Sequence, residues 1–403
     1  MASSQAVLIR DKAAYPTHDA PCPYFGTCGG CTLQDLVYAD QLALKRTWLQ
    51  RALEGLDLDT TLELRGLDDP WRYRNKAELT FSQVNGRLTL GYHATGSFWR
   101  VVDLDDCLLL SQPMAGLIVD VRQLAQASGQ PAYNPKTHEG FFRHLTIRHS
   151  RLTGDLLVCV TTAPGPRDVM ERLADELLAR RPDVVSVYWG VRSSVADLAV
   201  PEELILLRGA TYLDDQVGSF RLWVHPFAFL QPTTEQAQRL YECLLQAVRP
   251  APDAIAWDLY CGMGLVAFVL ASKFRHVYGI DSAAQNIELA ALNASRNTIA
   301  NVTWHLGKVE DLLLDRRFWL TTAKPDLVVV DPPRSGLHPR AVASVSAARP
   351  KEIAYLSCNV QTLVRDLQSW RTTYPRYQVR ELVAFDMFPQ TNHIELLALL
   401  ERQ

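Results

Sequence analysis

The sequence predicts an α/β protein. Its C-terminal half reads as a doubly wound, mostly parallel sheet, preceded by a β-rich α+β region and a small N-terminal lobe that carries cysteines. Three observations point this way. From about residue 226, short apolar runs alternate with runs of helical period: AIAWDLY, LVAFVLASKF, HVYGID, AAQNIELAALNASRN, VTWHL, DLVVVD and EIAYLSC. That rhythm implies parallel strands covered by helices on both faces. Between about 66 and 225 the runs alternate in character and meet at turn dipeptides, as antiparallel hairpins do. The first 65 residues hold Cys22, Cys28 and Cys31 and one amphipathic stretch, too little for a core of their own.

Four hundred and three residues exceed what one core usually supports, so three units are expected: 1–65, 66–225 and 226–403. A chain that is 48% apolar and 21% charged is too apolar for extended disorder. No run of about 18 uncharged apolar residues occurs, and the first twenty residues lack the apolar stretch of a signal peptide. A monomeric cytoplasmic protein without a membrane segment is therefore expected. Eight cysteines are too sparse for a disulfide scaffold, and their uneven placement points to metal or catalytic work in a reducing compartment. A net charge of −3 argues against a generic nucleic-acid coat, so local patches matter more. Arg72, Arg74, Lys76, Arg87 and Arg100 are interleaved with Trp71, Tyr73, Phe81, Tyr92, Phe98 and Trp99, and Arg143, Arg148 and Arg151 form a second basic island. Cations alternating with aromatics suit an unstacked single strand of nucleic acid. The other reading is two solvated sheet faces over a core.

In chain order, a helix is expected from about Tyr38 to Leu53, with Leu42, Trp48, Leu49 and Leu53 as its apolar stripe. Hairpins are expected at Asn85-Gly86, between ELTFSQV and RLTLGY, and at Thr153-Gly154, between HLTIRHS and DLLVCVTTA. Helices follow near 112–128 and 167–181. In the C-terminal half the first strand runs through Asp258-Leu259-Tyr260 into Cys261-Gly262-Met263-Gly264 and a helix from near Leu265. Glycines there allow a tight turn and close approach of a ligand at the carboxyl edge of the sheet. Asp281, at the end of HVYGID, offers a carboxylate to both hydroxyls of a ribose. A dinucleotide site would want the longer G-x-G-x-x-G fingerprint, and Ala267 fits only its last position. The order strand, D-x-x-C-G-x-G, helix, strand, acid resembles class I methyltransferases that bind S-adenosylmethionine; a dehydrogenase is the other reading. Cys261 reads as packing in a glycine turn.

The strand DLVVVD ends in Asp331-Pro332-Pro333-Arg334. Two prolines lack the donors a central strand needs, so the chain leaves the sheet there and holds the Asp331 carboxylate at the same edge, as a reacting group or as a plain strand exit. EIAYLS ends at Cys358, just before a helix, where the dipole is expected to lower the thiol pKa. Carbon 5 of a pyrimidine is a poor nucleophile until something adds to carbon 6, and a soft thiolate suits that addition. The proton on carbon 5 must then leave, which needs a base. Glu395 is the only acid in the apolar run His393–Leu400 and is expensive there without work or a partner. The alternatives are a buried core thiol at Cys358 and a paired strand-edge carboxylate at Glu395.

Asp331-Pro332-Pro333-Arg334, Ser357-Cys358-Asn359 and Asp386-Met387-Phe388-Pro389-Gln390-Thr391 followed by His393-Ile394-Glu395 resemble the RNA uracil-5 methyltransferases, over most of the chain. The resemblance implies Cys358 as nucleophile, Glu395 as base, and Asp331 near the methyl donor and target base. It implies that Gln231, in Phe229-Leu230-Gln231, touches cofactor or substrate, and that Tyr260 and Asp281 line the adenosine. Where the family usually has Asn, this chain has Thr233, which with Gln236 is expected to form a capping box. Lys308 stands where the family offers an adenine acceptor, and a cation cannot accept.

Cys22, Cys28 and Cys31 have the spacing C-x5-C-x2-C, with Cys107 far downstream in DLDDCLLL. Four thiolates can enclose zinc or a 4Fe-4S cluster, and three plus one remote is commoner in cluster proteins. Several members of the resembled family bind a 4Fe-4S cluster through cysteines so spaced. Many also carry an N-terminal oligonucleotide-binding barrel, for which the stretch before Cys22 is too short, so grip on RNA is expected from the central region and the cysteine lobe. Cys159 and Cys243 read as core. The expected substrate is a uridine in 23S ribosomal RNA, with tRNA as the alternative. Other readings are an amino-directed methyltransferase that leaves Cys358 idle, and a non-enzymatic RNA-binding iron-sulfur redox sensor.

Overall fold

A computed structural model describes residues 11–56, 58, 62–374 and 376–403. Its C-terminal half is built on an eight-stranded sheet. Five strands run parallel, in the spatial order Val302–Leu306, His276–Asp281, Ile255–Leu259, Leu327–Val330 and Glu352–Ser357. Glu395–Arg402 then pairs antiparallel with Glu352–Ser357, and Tyr377–Phe385 antiparallel with Glu395–Arg402. Apolar side chains bury on both faces, as expected of strands covered on two sides: Ala256, Val277 and Val329 on one, Trp257, Ile280 and Val328 on the other.

This topology makes the site. The parallel strands all end at one edge, and the antiparallel strand starts there. Ser357 lies opposite Leu396, so one more step along the pair sets Cys358 against Glu395. Two residues far apart in sequence are thereby joined at a sheet edge.

The central region is a six-stranded sheet in the order Arg87–Gly91, Lys76–Val84, Phe142–His149, Leu156–Thr162, Val184–Val191, Glu203–Gly209. Helices Gln112–Ala127 and Arg167–Arg180 share its core. Asn85 and Gly86 both take positive φ, 50° and 81°, the turn that matches the twist of a hairpin. The second basic island is largely internal. Arg143 is 2% exposed and donates to the carbonyls of Arg192, Ser194 and Ala196; Arg148, equally buried, donates to those of Pro226 and Ala228. These cations staple loops, because a buried guanidinium must spend its donors on protein acceptors. Arg87, Phe98, Trp99 and Arg100 stay exposed.

The N-terminal segment binds both halves. Glu63–Arg65 adds a parallel edge strand beside Tyr377–Phe385, and the helix Tyr38–Leu53 packs Leu44, Trp48, Leu49 and Leu53 into the C-terminal core. Leu44, not the anticipated Leu42, joins that face. Gln41 and Lys45 are also fully buried there, one turn apart. The loop of Cys28 bridges to Ala94 and, through the amide of Gly29, to the carbonyl of His93. Among the described residues no helix is long and apolar enough to cross a membrane.

Candidate active site

At the carboxyl edge of the parallel strands lies a cavity of about 580 Å³. Gln231, Tyr260, Asp281, Asp331, Cys358 and Glu395, drawn from six places in the sequence, all line it. A hollow of the same volume sits between Trp71, Arg151 and Gln238, but none of the described residues lining it is a cysteine.

One end of the cavity is a glycine turn and an acid. Gly264 caps the helix Leu265–Ala271 with φ 90°, and a β-carbon there would stand 2.6 Å from the Trp304 ring, so only glycine fits. Asp281 is fixed by the amides of Gly262 at 3.0 Å and Ala283 at 2.8 Å and by Asn286 Nδ2 at 3.1 Å. A carboxylate has about four acceptor sites, so capacity remains for a ligand hydroxyl. Lys308 and Glu310 line the same end. Glu310 carries no signal in the sequence, because the family's acceptor position is held by Lys308.

The other end holds Cys358, Glu395, Asp331 and Arg334. Cys358 follows the strand Glu352–Ser357, and Asn359 caps the helix Val360–Thr373 by accepting from the Gln361 amide at 3.1 Å. Asn359 Nδ2 also donates to the Arg334 carbonyl at 2.8 Å, tying the Asp331-Pro-Pro-Arg loop to the cysteine. Burial raises the Asp331 carboxyl to about 7. Burial, reinforced by Asp331 and opposed by Arg334, pushes Glu395 well above the usual carboxylate range. The depressed thiol expected at Cys358 is overturned. Burial, with Glu395 and Asp331 adding and Arg334 opposing, raises it to about 11. Burial of the sulfur, with two carboxyl groups beside it, outweighs Arg334 and the helix terminus. Arg334 is a functional candidate to which sequence reasoning assigns no role; its place in the Asp-Pro-Pro-Arg motif is the signal that marks it.

These shifts fix a sign for stability. Between pH 4 and 7 the unfolded chain has ionised Asp331, whose ordinary pKa is 3.8, while the folded chain keeps the proton. Folding therefore takes up a proton in that window, and stability falls as pH rises through it. Asp331→Asn is expected to raise the melting temperature at pH 8 by a few degrees and to leave it nearly unchanged at pH 4. A thermal-denaturation series over pH checks this; a gain of equal size at both ends contradicts it.

Gln231 is 2% exposed, and its carbonyl accepts from Asn75 Nδ2 at 2.8 Å, which fixes it to the central sheet. The expected capping box is absent. The helix Thr234–Ala247 has no side-chain cap; Thr233 Oγ1 donates to the Met387 carbonyl at 2.7 Å, and Gln236 Nε2 to the Arg65 carbonyl at 2.8 Å. Thr233 is drawn to the strand-to-strand segment before Glu395 and Gln236 to the edge strand Glu63–Arg65, where carbonyls need donors.

Among the described residues no group of three or more His, Cys, Asp or Glu is gathered as a metal-ion site. The four cysteines are free thiols that nonetheless share one neighbourhood. Cys28 is raised by burial and further by Cys107 and Cys22, and Cys31 is raised to about 12 by burial and further by Cys107 and Cys28. Arg74 opposes all of this at Cys28, Cys31 and Cys107. The Gly30 amide donates to Cys28 Sγ at 3.4 Å, and Gln34 Nε2 to Cys31 Sγ at 3.0 Å. The Gly30 and Gln34 donors face two of these sulfurs, and Arg74 lies near enough to oppose the rise at three.

Known proteins similar to this chain point to one family. A family model described as tRNA (uracil-5-)-methyltransferase matches residues 213–403. An uncharacterized RNA methyltransferase of Halalkalibacterium halodurans is 32% identical over 98% of this chain and 86% of its own length. One from Caldanaerobacter subterraneus subsp. tengcongensis is 33% identical over 100% of this chain and 88% of its own. Among solved structures, the Pyrococcus abyssi tRNA (uracil-54, C5)-methyltransferase in complex with S-adenosyl-L-homocysteine superposes with a TM-score of 0.75 at 28% identity, over 93% of this chain and 86% of that one. With a class I sheet, an acid-and-glycine edge and full-length relatives of this kind, the chain belongs to the RNA uracil-5 methyltransferase family and is an S-adenosylmethionine-dependent enzyme.

Proposed function

We propose that this enzyme methylates carbon 5 of one uridine in RNA through a covalent bond between Cys358 and carbon 6. The observation that carries the reading is the meeting of Cys358, Glu395 and Asp331 in one cavity whose far end holds Asp281 and the glycine turn. S-adenosylmethionine, when bound, supplies an electrophilic methyl and a positive sulfonium to this acid-rich pocket. Asp281 and Tyr260 hold the nucleoside portion. The target base, turned out of its loop, presents carbon 6 to Cys358. The sulfur adds there, and the electron pair of the 5,6 double bond makes carbon 5 the nucleophile that takes the methyl. Glu395 then removes the carbon 5 proton, the double bond re-forms, and the sulfur leaves with the electron pair of the carbon-sulfur bond. Arg334, which lowers both the thiol and the glutamate, favours the ionised forms that these two steps use.

The substrate we favour is 23S ribosomal RNA. The names of the matched family and of the Pyrococcus enzyme favour tRNA as a second reading. Methyl transfer from labelled donor to 23S RNA and to tRNA, both from cells lacking this protein, separates the two, and mapping the label gives the uridine. Label on neither RNA rejects the function.

We also propose that Cys22, Cys28, Cys31 and Cys107 hold a 4Fe-4S cluster, on the strength of their spacing in the sequence, the donors that face Cys28 and Cys31, and the Arg74 counter-charge. Protein purified without oxygen is expected to be brown, with about four irons per chain, and to lose them in Cys107→Ser. Bound zinc without iron overturns the proposal.

A further inference from the structure

The strand that presents Glu395 is held from an unexpected quarter. Its approach, Asp386–Thr391, is gripped by buried polar groups of the N-terminal lobe. Gln41 is 1% exposed; its Oε1 accepts from the Gln390 amide at 3.1 Å, while its Nε2 donates to Gln390 Oε1 at 2.8 Å and to the Leu36 carbonyl at 2.9 Å. One turn along the same helix, Lys45 Nζ meets Asp386 Oδ1 at 2.6 Å with both side chains fully buried. The Gln390 carbonyl accepts from the amides of Thr32 and Leu33, the two residues that follow Cys31.

Gln390 itself has φ 68°, a left-handed conformation that costs a residue with a β-carbon about 1 kcal/mol or more and persists only where the surroundings fix it. Five residues later the register sets Glu395 opposite Phe385, and Phe388 between them lines the cavity wall. A leucine at position 41 would fill the same space without burying an amide, yet it would leave the Gln390 amide unpaired and the strained turn free to relax.

We propose that Gln41 is a positioning residue for the proton-abstraction half of the reaction: its reciprocal amide contact with Gln390 fixes the turn that aims Glu395 at carbon 5. The inference rests on the reading of Glu395 as base. In the step concerned the carboxylate takes the carbon 5 proton, the electrons of that carbon-hydrogen bond re-form the 5,6 double bond, and the carbon 6-sulfur pair returns to Cys358. Addition and methyl transfer come earlier and do not need the base.

The two halves are separable in one enzyme. With 5-fluorouridine RNA no proton is left at carbon 5, so a denaturation-resistant adduct reports addition and methyl transfer alone; with ordinary RNA, turnover also needs release. Gln41→Met, of similar volume and without an amide, is expected to trap 5-fluorouridine RNA at the wild-type rate with an unchanged KM for S-adenosylmethionine. Its turnover on ordinary RNA is expected to fall about tenfold, within the range that an ångström of misplacement costs, while methyl-labelled RNA-protein adduct accumulates. Trapping and turnover that fall in the same proportion, or turnover that does not fall, overturns the proposal. Should Gln41→Met fail to fold, Gln390→Gly suits the left-handed backbone and removes the side-chain oxygen that Gln41 Nε2 meets, leaving only the Leu36 carbonyl; the same split is expected, and its absence is equally decisive. Wild-type enzyme that traps nothing would instead overturn the covalent reading itself.

Discussion

Cys358→Ala is expected to lower methyl transfer to RNA by at least about a thousandfold and to abolish the 5-fluorouridine adduct, with S-adenosylmethionine binding unchanged. The size follows from the role proposed for the sulfur: without addition at carbon 6, carbon 5 is not nucleophilic, and among the described residues lining the cavity no other thiol can replace it. Binding is expected to survive because the residues proposed to hold the donor, Tyr260, Asp281 and the glycine turn, lie on strands separate from that of Cys358. Equilibrium binding of the donor beside single-turnover transfer checks both halves. Undiminished transfer sinks the covalent route. Because the free thiol is raised to about 11, adduct formation by the wild type is also expected to climb with pH across the neutral range. A rate independent of pH there would mean that substrate binding alone ionises the sulfur.

Much of this site is legible in the amino-acid order, for a topological reason. In a doubly wound sheet each strand ends at the ligand edge, so a residue placed just past an apolar run is placed at the site. Tyr260, Asp281, Asp331 and Cys358 can each be read from one short segment. Glu395 can be read because an acid that opens a run of six buried residues, the other five apolar, is costly unless it reacts or is paired. What stays hidden depends on contacts between distant segments. The strand Tyr377–Phe385 carries Arg380 and Glu381, which interrupt its apolar run and mask it from local pattern. The three-residue strand Glu63–Arg65 is too short to leave a period. The expected Cys358 pKa fails for the same reason: the helix terminus is a local feature, whereas the burial of the sulfur, and after it the approach of Glu395 and Asp331, exist only once three strands meet. Thr233 and Gln236 spell a capping box in sequence, yet they are taken by carbonyls some 150 residues away or more.

Glu395→Gln is expected to divide the reaction at its midpoint. Glutamine keeps the volume and can still hydrogen-bond, but it cannot take a proton, so methyl transfer should proceed once and release should slow by a factor of about 10² to 10⁴. One methyl per enzyme, held in a denaturation-resistant RNA adduct, is the predicted product of a single-turnover assay with ordinary RNA. Glutamine removes no charge that addition uses, so the variant's adduct is expected to form at least as fast as that of the wild type. Release falls while addition does not, a pattern that partial unfolding cannot imitate, since lost fold lowers both. A variant that turns over normally would leave Asp331, the other carboxyl raised in the same cavity, as the base. Double replacement of Asp331 and Glu395 would then be needed to stop release, and the buried pair would have to be regarded as sharing one proton between two interchangeable acceptors.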